Sequence, residues 1–209
     1  MSRIPRDPVV VGVDVGGPEK GFHTVALKDG EFFKQVALLD PAAVVQWSRS
    51  LHASAVGIDA PCAWSLTGRA RPCEWELAAS GIRAFATPSF AVGVRNPFYR
   101  WMLNGAELFR HFTPYYQLFD GRQSVSLPVC FETFPQAVAC TLAGRILSAR
   151  HKRTNRPRLL RQAGVSLGSH TTIDQVDAAL CALTAHHLLR GAFRTYGDAT
   201  EGFIIVPHI

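Results

Sequence analysis

Three aspartates interrupt apolar runs and so carry the first hint of chemistry. Asp14 breaks the valine-rich run Val9-Val-Val-Gly-Val-Asp14, and Asp59 closes the similar run Ala55-Val-Gly-Ile-Asp59. The third, Asp177, lies in the long helical stretch Thr172 to Arg190. A carboxylate placed in a sheet interior is costly unless it is paired or bound to a metal. Two carboxylates side by side raise each other's pKa, so they share a proton or hold a cation. Capping of a nearby turn, or pairing with one of the arginines, would also account for Asp14 or Asp59.

Helical geometry bears on the third acid. With Ile173 set at zero and about 100° per residue, Val176, Leu180 and Leu183 fall near 300°, 340° and 280°, and Asp177 near 40°, at the border of the apolar stripe. Asp174 lies about 60° further round. It is a further candidate metal ligand, although its place in the first turn is also explained by the helix dipole. Glu132, in Phe131-Glu-Thr-Phe134, alternates with aromatics. It either completes the acidic cluster as a catalytic group or pairs with a buried arginine.

Candidate substrate contacts are basic. Arg150 to Arg161 holds six Lys/Arg and no acid. Lys152, Arg153 and Arg156 there could meet a polyanion, or the stretch could be a solvated loop and helix face. Lys20 follows the first strand, where it could meet a phosphate or simply lie exposed in a turn.

These residues need elements to position them. Val9 to Asp14 reads as a central strand, and His23 to Leu27 and Glu31 to Leu38 flank the hairpin signal Asp29-Gly30. Pro41 can open a helix over 42–52, whose crossover makes the strand 55–59 parallel to one of the first three. Residues 63–127 are irregular and aromatic-rich, with helical pieces at 74–79 and 98–112, and read as an insertion. A strand over 128–134 leads into a helix opened by Pro135 and carrying Ala137, Val138, Leu142 and Ile146. Helices over 156–163 and 172–190 follow, with Ala178 to Ala182 small enough for close packing on the sheet. Gly202 to Pro207 reads as a short extra strand. Val11-Gly-Val-Asp14 and Val56-Gly-Ile-Asp59 echo one another.

Composition agrees with a folded domain. The 209 residues are 47% hydrophobic and 18% charged, with net charge +6, which excludes disorder and suits one domain over 1–209 with a helical insertion at 63–127. No apolar run reaches the length of a membrane span and Met1 to Pro8 lacks the apolar stretch of a leader, so a cytoplasmic protein is expected. Five widely spaced cysteines without a C-x-x-C pair point to reduced thiols.

In order, Gly12-Val-Asp14, Lys20-Gly21, Gly57-Ile-Asp-Ala-Pro61, Arg71-Pro-Cys-Glu74, Thr87-Pro-Ser89, Phe131-Glu-Thr-Phe-Pro135 and Asp174-Gln-Val-Asp-Ala-Ala179 resemble the domain of unknown function 429 family of predicted nucleases. The resemblance covers nearly the whole chain. It implies a ribonuclease H-like α/β fold, a mixed five-stranded sheet flanked by helices. It also implies Mg²⁺- or Mn²⁺-dependent phosphodiester hydrolysis of a nucleic acid, DNA or RNA. Asp14 would contact both metals, and Asp59 and Asp177 would hold one each. Arg71 and Glu74 match a family motif to which the general mechanism gives no role. They contact substrate or form a local ion pair.

Two other readings remain open. Gly12-Val-Asp-Val-Gly-Gly17 also resembles the phosphate hairpin of actin-like and sugar-kinase phosphotransferases, but 209 residues leave little room for their second domain. A catalytically silent nucleic-acid-binding module would use the Arg150 to Arg161 stretch alone, with salt-dependent binding.

Overall fold

The computed structural model describes residues 7–168 and 171–209, so most of the N-terminal stretch considered above lies outside the described residues. The β-branched run Val9–Val15 forms β1, which pairs antiparallel with β2 (Phe22–Lys28). β2 turns into β3 (Glu31–Leu38) through Asp29 and Gly30, at φ 49° and 87°. Two successive left-handed residues match the twist of a tight hairpin, which is why Asp-Gly signals one. The Asp40 side chain accepts from the Ala42 N–H to start α1 (Pro41–Ser50), which crosses over to β4 (Ala55–Asp59), parallel to β1.

Between β4 and β6 (Val129–Thr133) lie α2 (Pro72–Ala79), α3 (Phe90–Gly93), α4 (Arg100–Phe112) and the two-residue β5 (Gln117–Leu118). After β6 come α5 (Pro135–Ala143), α6 (Lys152–Gln162), α7 (Ile173–Leu189), β7 (Phe193–Asp198) and β8 (Gly202–Pro207). The sheet runs β3-β2-β1-β4-β6-β8-β7, with β5 beside the first half of β6.

The fold is therefore mixed α/β, but with eight strands and not the expected five among the described residues. The chain's last strand is not a lone appendage: β8 runs parallel to β6 at Glu132 and Thr133, and β7 pairs antiparallel on its far side as the edge. Two helix limits also differ from expectation. α5 stops at Ala143 because Gly144, at φ 62°, ends it in a left-handed cap, leaving Ile146 outside and exposed. α6 starts at Lys152 and keeps Pro157 inside it, so most of the basic stretch is helix.

Alternation along the strands divides the core. Val11, Val13 and Ile58 face α1 and α4, packing with Val44, Leu108 and Phe112. Val10 and Ala55 face the other way, toward α7 and its residues Leu180 and Leu183. α7 is buried continuously from Val176 to His186 and not along one stripe, because the sheet lies on one side of it and α5 and α6 on the other. Two glycines admit it. A methyl group at Gly12 would lie 2.0 Å from the Ala178 carbonyl oxygen, and one at Gly57 2.6 Å from that of Cys181.

No helix among the described residues is long and apolar enough to cross a membrane. All five cysteines are free thiols.

Candidate functional site

Asp14 and Asp59 are register partners at the carboxyl ends of β1 and β4. Adjacent strands lie about 4.8 Å apart, and paired residues of parallel strands point to the same face, so the two carboxylates stand side by side. That face is the one α7 covers, since Gly12 and Gly57, two residues earlier, touch it. The close approach brings Asp177 to the strand ends, with Asp174 in the first turn of the same helix. All four acids line one cleft of about 560 Å³.

The charges in this cleft are unevenly matched. Asp177 accepts a hydrogen bond from Arg156 Nη1, with Lys152 Nζ 3.6 Å from its other oxygen. Asp174 accepts from Lys20 Nζ at 2.7 Å and lies 3.8 Å from His23 Nε2. Asp14 and Asp59 make no ion pair and no side-chain hydrogen bond among the described residues. Burial, then repulsion from Asp177 and Asp174, pushes the Asp14 carboxyl from 3.8 up to about 7. Burial, then repulsion from Asp14, holds Asp59 well above the usual carboxylate range. Burial raises Asp177 as well, against the lowering effect of Arg156.

As they stand, no group of three His, Cys, Asp or Glu side chains among the described residues is arranged to hold a metal ion. Asp177 is turned to Arg156 and Asp174 to Lys20. The remaining donors nevertheless fit a hard divalent cation, because Asp14 and Asp59 offer unengaged carboxylate oxygens whose mutual repulsion such an ion would relieve. Arg156 is itself under-satisfied: Nη2 donates to Gln136 Oε1 at 2.9 Å, but Nε is buried without a partner among the described residues.

Basic and aromatic side chains complete the cleft. Lys20, Arg83, Lys152 and Arg156 line it beside the acids, and Phe85, Trp101 and Phe134 form an aromatic wall. Arg153 lies exposed on α6 and does not line it. Sequence reasoning reached Lys20, Lys152 and Arg156 but missed Arg83, Phe85, Trp101, Phe134 and Gln136. The one available signal was the density of aromatics in the irregular stretch 63–127.

Glu132 does not join the acids. It pairs in register with Ile58, one residue before Asp59, so it points to the opposite face of the sheet. There Arg71 Nη1 and Nη2 donate to its two oxygens at 2.8 and 2.5 Å, and the Cys62 N–H donates at 2.8 Å. Arg71 is 1% exposed and also donates through Nε to Glu74 Oε1 at 3.0 Å. Glu74 in turn accepts from the Thr87 N–H at 2.9 Å and from its hydroxyl. Of the two readings open for Glu132, the structure shows the pairing with a buried arginine, and Arg71 and Glu74 form the local ion pair. Each is engaged in a buried network that ties α2 and the following loop to β6, and the three border a small recess of about 40 Å³ together with Asp59, Phe85, Trp101 and Phe134.

Residues 12–201 match the model of the family described as "Protein of unknown function (DUF429)". The chain belongs to that family. The residues singled out in the sequence thus include one set that lines the cleft and one that forms the Arg71 network beside it. Among solved structures, one described as "Thermus thermophilus RuvC structure" is similar at 15% identity and a TM-score of 0.44, over 88% of this chain and 96% of that one. No curated protein matches the sequence.

Proposed function

We propose that this DUF429 family member is a metal-dependent nuclease of ribonuclease H-like architecture, acting on the phosphodiester backbone of DNA or RNA in the 560 Å³ cleft. The observation that carries the reading is the carboxylate pair Asp14 and Asp59, without an ion pair among the described residues and set side by side by strand register in a cleft with basic side chains. The strand order β3-β2-β1-β4-β6, with β2 antiparallel to its neighbours, suits the same architecture. Residues 63–127 are on this reading an insertion that walls the cleft with aromatics.

Asp14 and Asp59 would hold Mg²⁺ or Mn²⁺, with Asp177 joining them when Arg156 releases it. The bound ion would supply charge stabilisation and an activated water for hydrolysis. The chain's own residues do the rest. Lys152 and Arg156 face the acids across the cleft and can draw a phosphate to it, and Arg156 has a donor to spare once a phosphate replaces Asp177. Lys20, held to Asp174, keeps a further positive charge at the cleft mouth.

Labelled single-stranded, duplex and branched DNA and RNA, incubated with Mg²⁺ or Mn²⁺, test the reading. Cleavage that requires the ion and disappears in Asp14→Asn is expected. Tight, salt-dependent binding with no cleavage under any metal would replace it with a binding module. A wild type that neither cleaves nor melts at higher temperature with added metal would end it.

A further inference from the structure

The insertion leaves large aromatic rings in water beside the acids. Phe85, on the extended stretch between α2 and α3, is 64% exposed, and Phe98, in the 3₁₀ turn Pro97–Tyr99, is 54% exposed. Trp101 opens α4 and, with Phe85, lines the same cleft as Asp14 and Asp59. We propose that Phe85, Phe98 and Trp101 form a stacking platform for unpaired nucleobases, so that the nucleic acid taken by this cleft is single-stranded or locally unpaired. This inference rests on the nucleic-acid reading above.

The rings hold each other in place. Phe85 meets Phe98 edge-on at 5.6 Å and Trp101 at 6.5 Å, and Phe98 meets Tyr99 at 5.1 Å. An aromatic braced by other aromatics loses little rotamer freedom when a ligand stacks on it, so more of the interaction energy appears as affinity. Exposed apolar surface of this kind marks an interaction site, and its setting says which. Arg83 lines the cleft with the rings, and Lys20, Lys152 and Arg156 line it with the acids. A basic groove combined with aromatic faces is how proteins hold single strands irrespective of sequence: the charges follow the phosphates while the bases stack on the rings. A duplex has its base faces already stacked and offers the platform nothing.

The test uses the full chain in an Asp14→Asn background without divalent metal, so that nothing is cut. Fluorescence anisotropy measures binding to matched single-stranded DNA, single-stranded RNA and duplex DNA. 2-Aminopurine in the single strands reports stacking. Single strands should bind more tightly than duplex at equal length and salt, and the DNA and RNA arms show whether the 2′-hydroxyl matters. Phe85→Ala should weaken single-strand binding about 5- to 150-fold, the range for loss of one stacked base, and abolish the 2-aminopurine change. Phe85→Trp should restore both. Equal affinity for single strand and duplex, or a Phe85→Ala protein with unchanged affinity and unchanged 2-aminopurine signal, would overturn the platform and leave the nuclease reading standing. If no oligonucleotide binds at any salt concentration, both fall together.

Discussion

Replacing Asp14 with asparagine should stabilise the metal-free protein at mildly alkaline pH while abolishing its activity. Among the described residues Asp14 accepts no side-chain hydrogen bond and forms no ion pair, and burial with repulsion from Asp177 and Asp174 outweighs the attraction of Lys20 and Lys152, so the exchange removes a charge whose net effect is unfavourable. Its carboxyl is pushed up from 3.8 to about 7. Because the folded-state value lies above the unfolded one, the native protein holds the extra proton. The favourable contribution is complete below 3.8 and is lost as pH rises through about 7. At 1.36 kcal/mol per pH unit, this displacement sets a ceiling of about 4 kcal/mol. Asp59 shares the repulsion, so about 2 kcal/mol is the working figure. For a chain of this length, at about 2–4 °C per kcal/mol, the variant should melt about 4–8 °C above wild type near pH 8. Near pH 4 Asp14 is protonated in the native state, and the difference should shrink toward zero. Thermal melts in chelator across this range measure it, and added Mg²⁺ should then raise the wild type and leave the variant almost unmoved. A variant no more stable than wild type at pH 8, or a difference independent of pH, would refute the claim that burial and repulsion outweigh the nearby lysines at Asp14.

Other substitutions separate framework from chemistry. Arg71→Ala should cost about 3–5 kcal/mol in denaturant unfolding, because it strands the buried Glu132 carboxylate, and Arg71→Met with Glu132→Leu should recover part of that loss. Gly12→Ala should destabilise by about 1–3 kcal/mol or more and depress activity with it, since a methyl cannot fit beneath Ala178 without lifting α7 and its Asp177 away from the strand ends. Arg153→Ala with Arg158→Ala, both exposed on α6, should weaken polyanion binding and reduce the slope of log K against log salt by ~0.7–0.9 for each phosphate no longer neutralised, without altering the melting temperature. An unchanged slope would show that this helix face meets no phosphate.

Much of this arrangement is legible in the sequence because it depends on strand periodicity. Val11-Gly-Val-Asp14 and Val56-Gly-Ile-Asp59 echo each other, and the echo is register: Gly12 pairs with Gly57 and Asp14 with Asp59. Asp29-Gly30 marks its hairpin, and the helical stretch from Thr172 marks α7. Glu132 is not legible in the same way. Its alternation with aromatics fixes which neighbours it opposes, but only the pairing of β6 with β4 decides which face of the sheet it takes. Phe85 is hidden for a related reason, since its exposure depends on how an irregular stretch lies over strands distant in sequence. The Phe193–Asp198 edge strand mixes apolar, charged and glycine residues, and its partner β8 supplies the order its own pattern lacks.

The spacing of glycine and aspartate on β1 and β4 also gives relatives of this chain a way to be sorted. Gly12 and Gly57 answer to steric demand from α7, which persists whether or not anything is catalysed, whereas on the proposed reading Asp14 and Asp59 answer to the reaction alone and burden the metal-free fold. A lineage that abandoned the chemistry would be free to shed its aspartates, gaining stability, yet would keep both glycines. Paralogues reading Gly-x-Asn or Gly-x-Ser at the two positions would then be retired or repurposed scaffolds, and their glycines would still attest common descent.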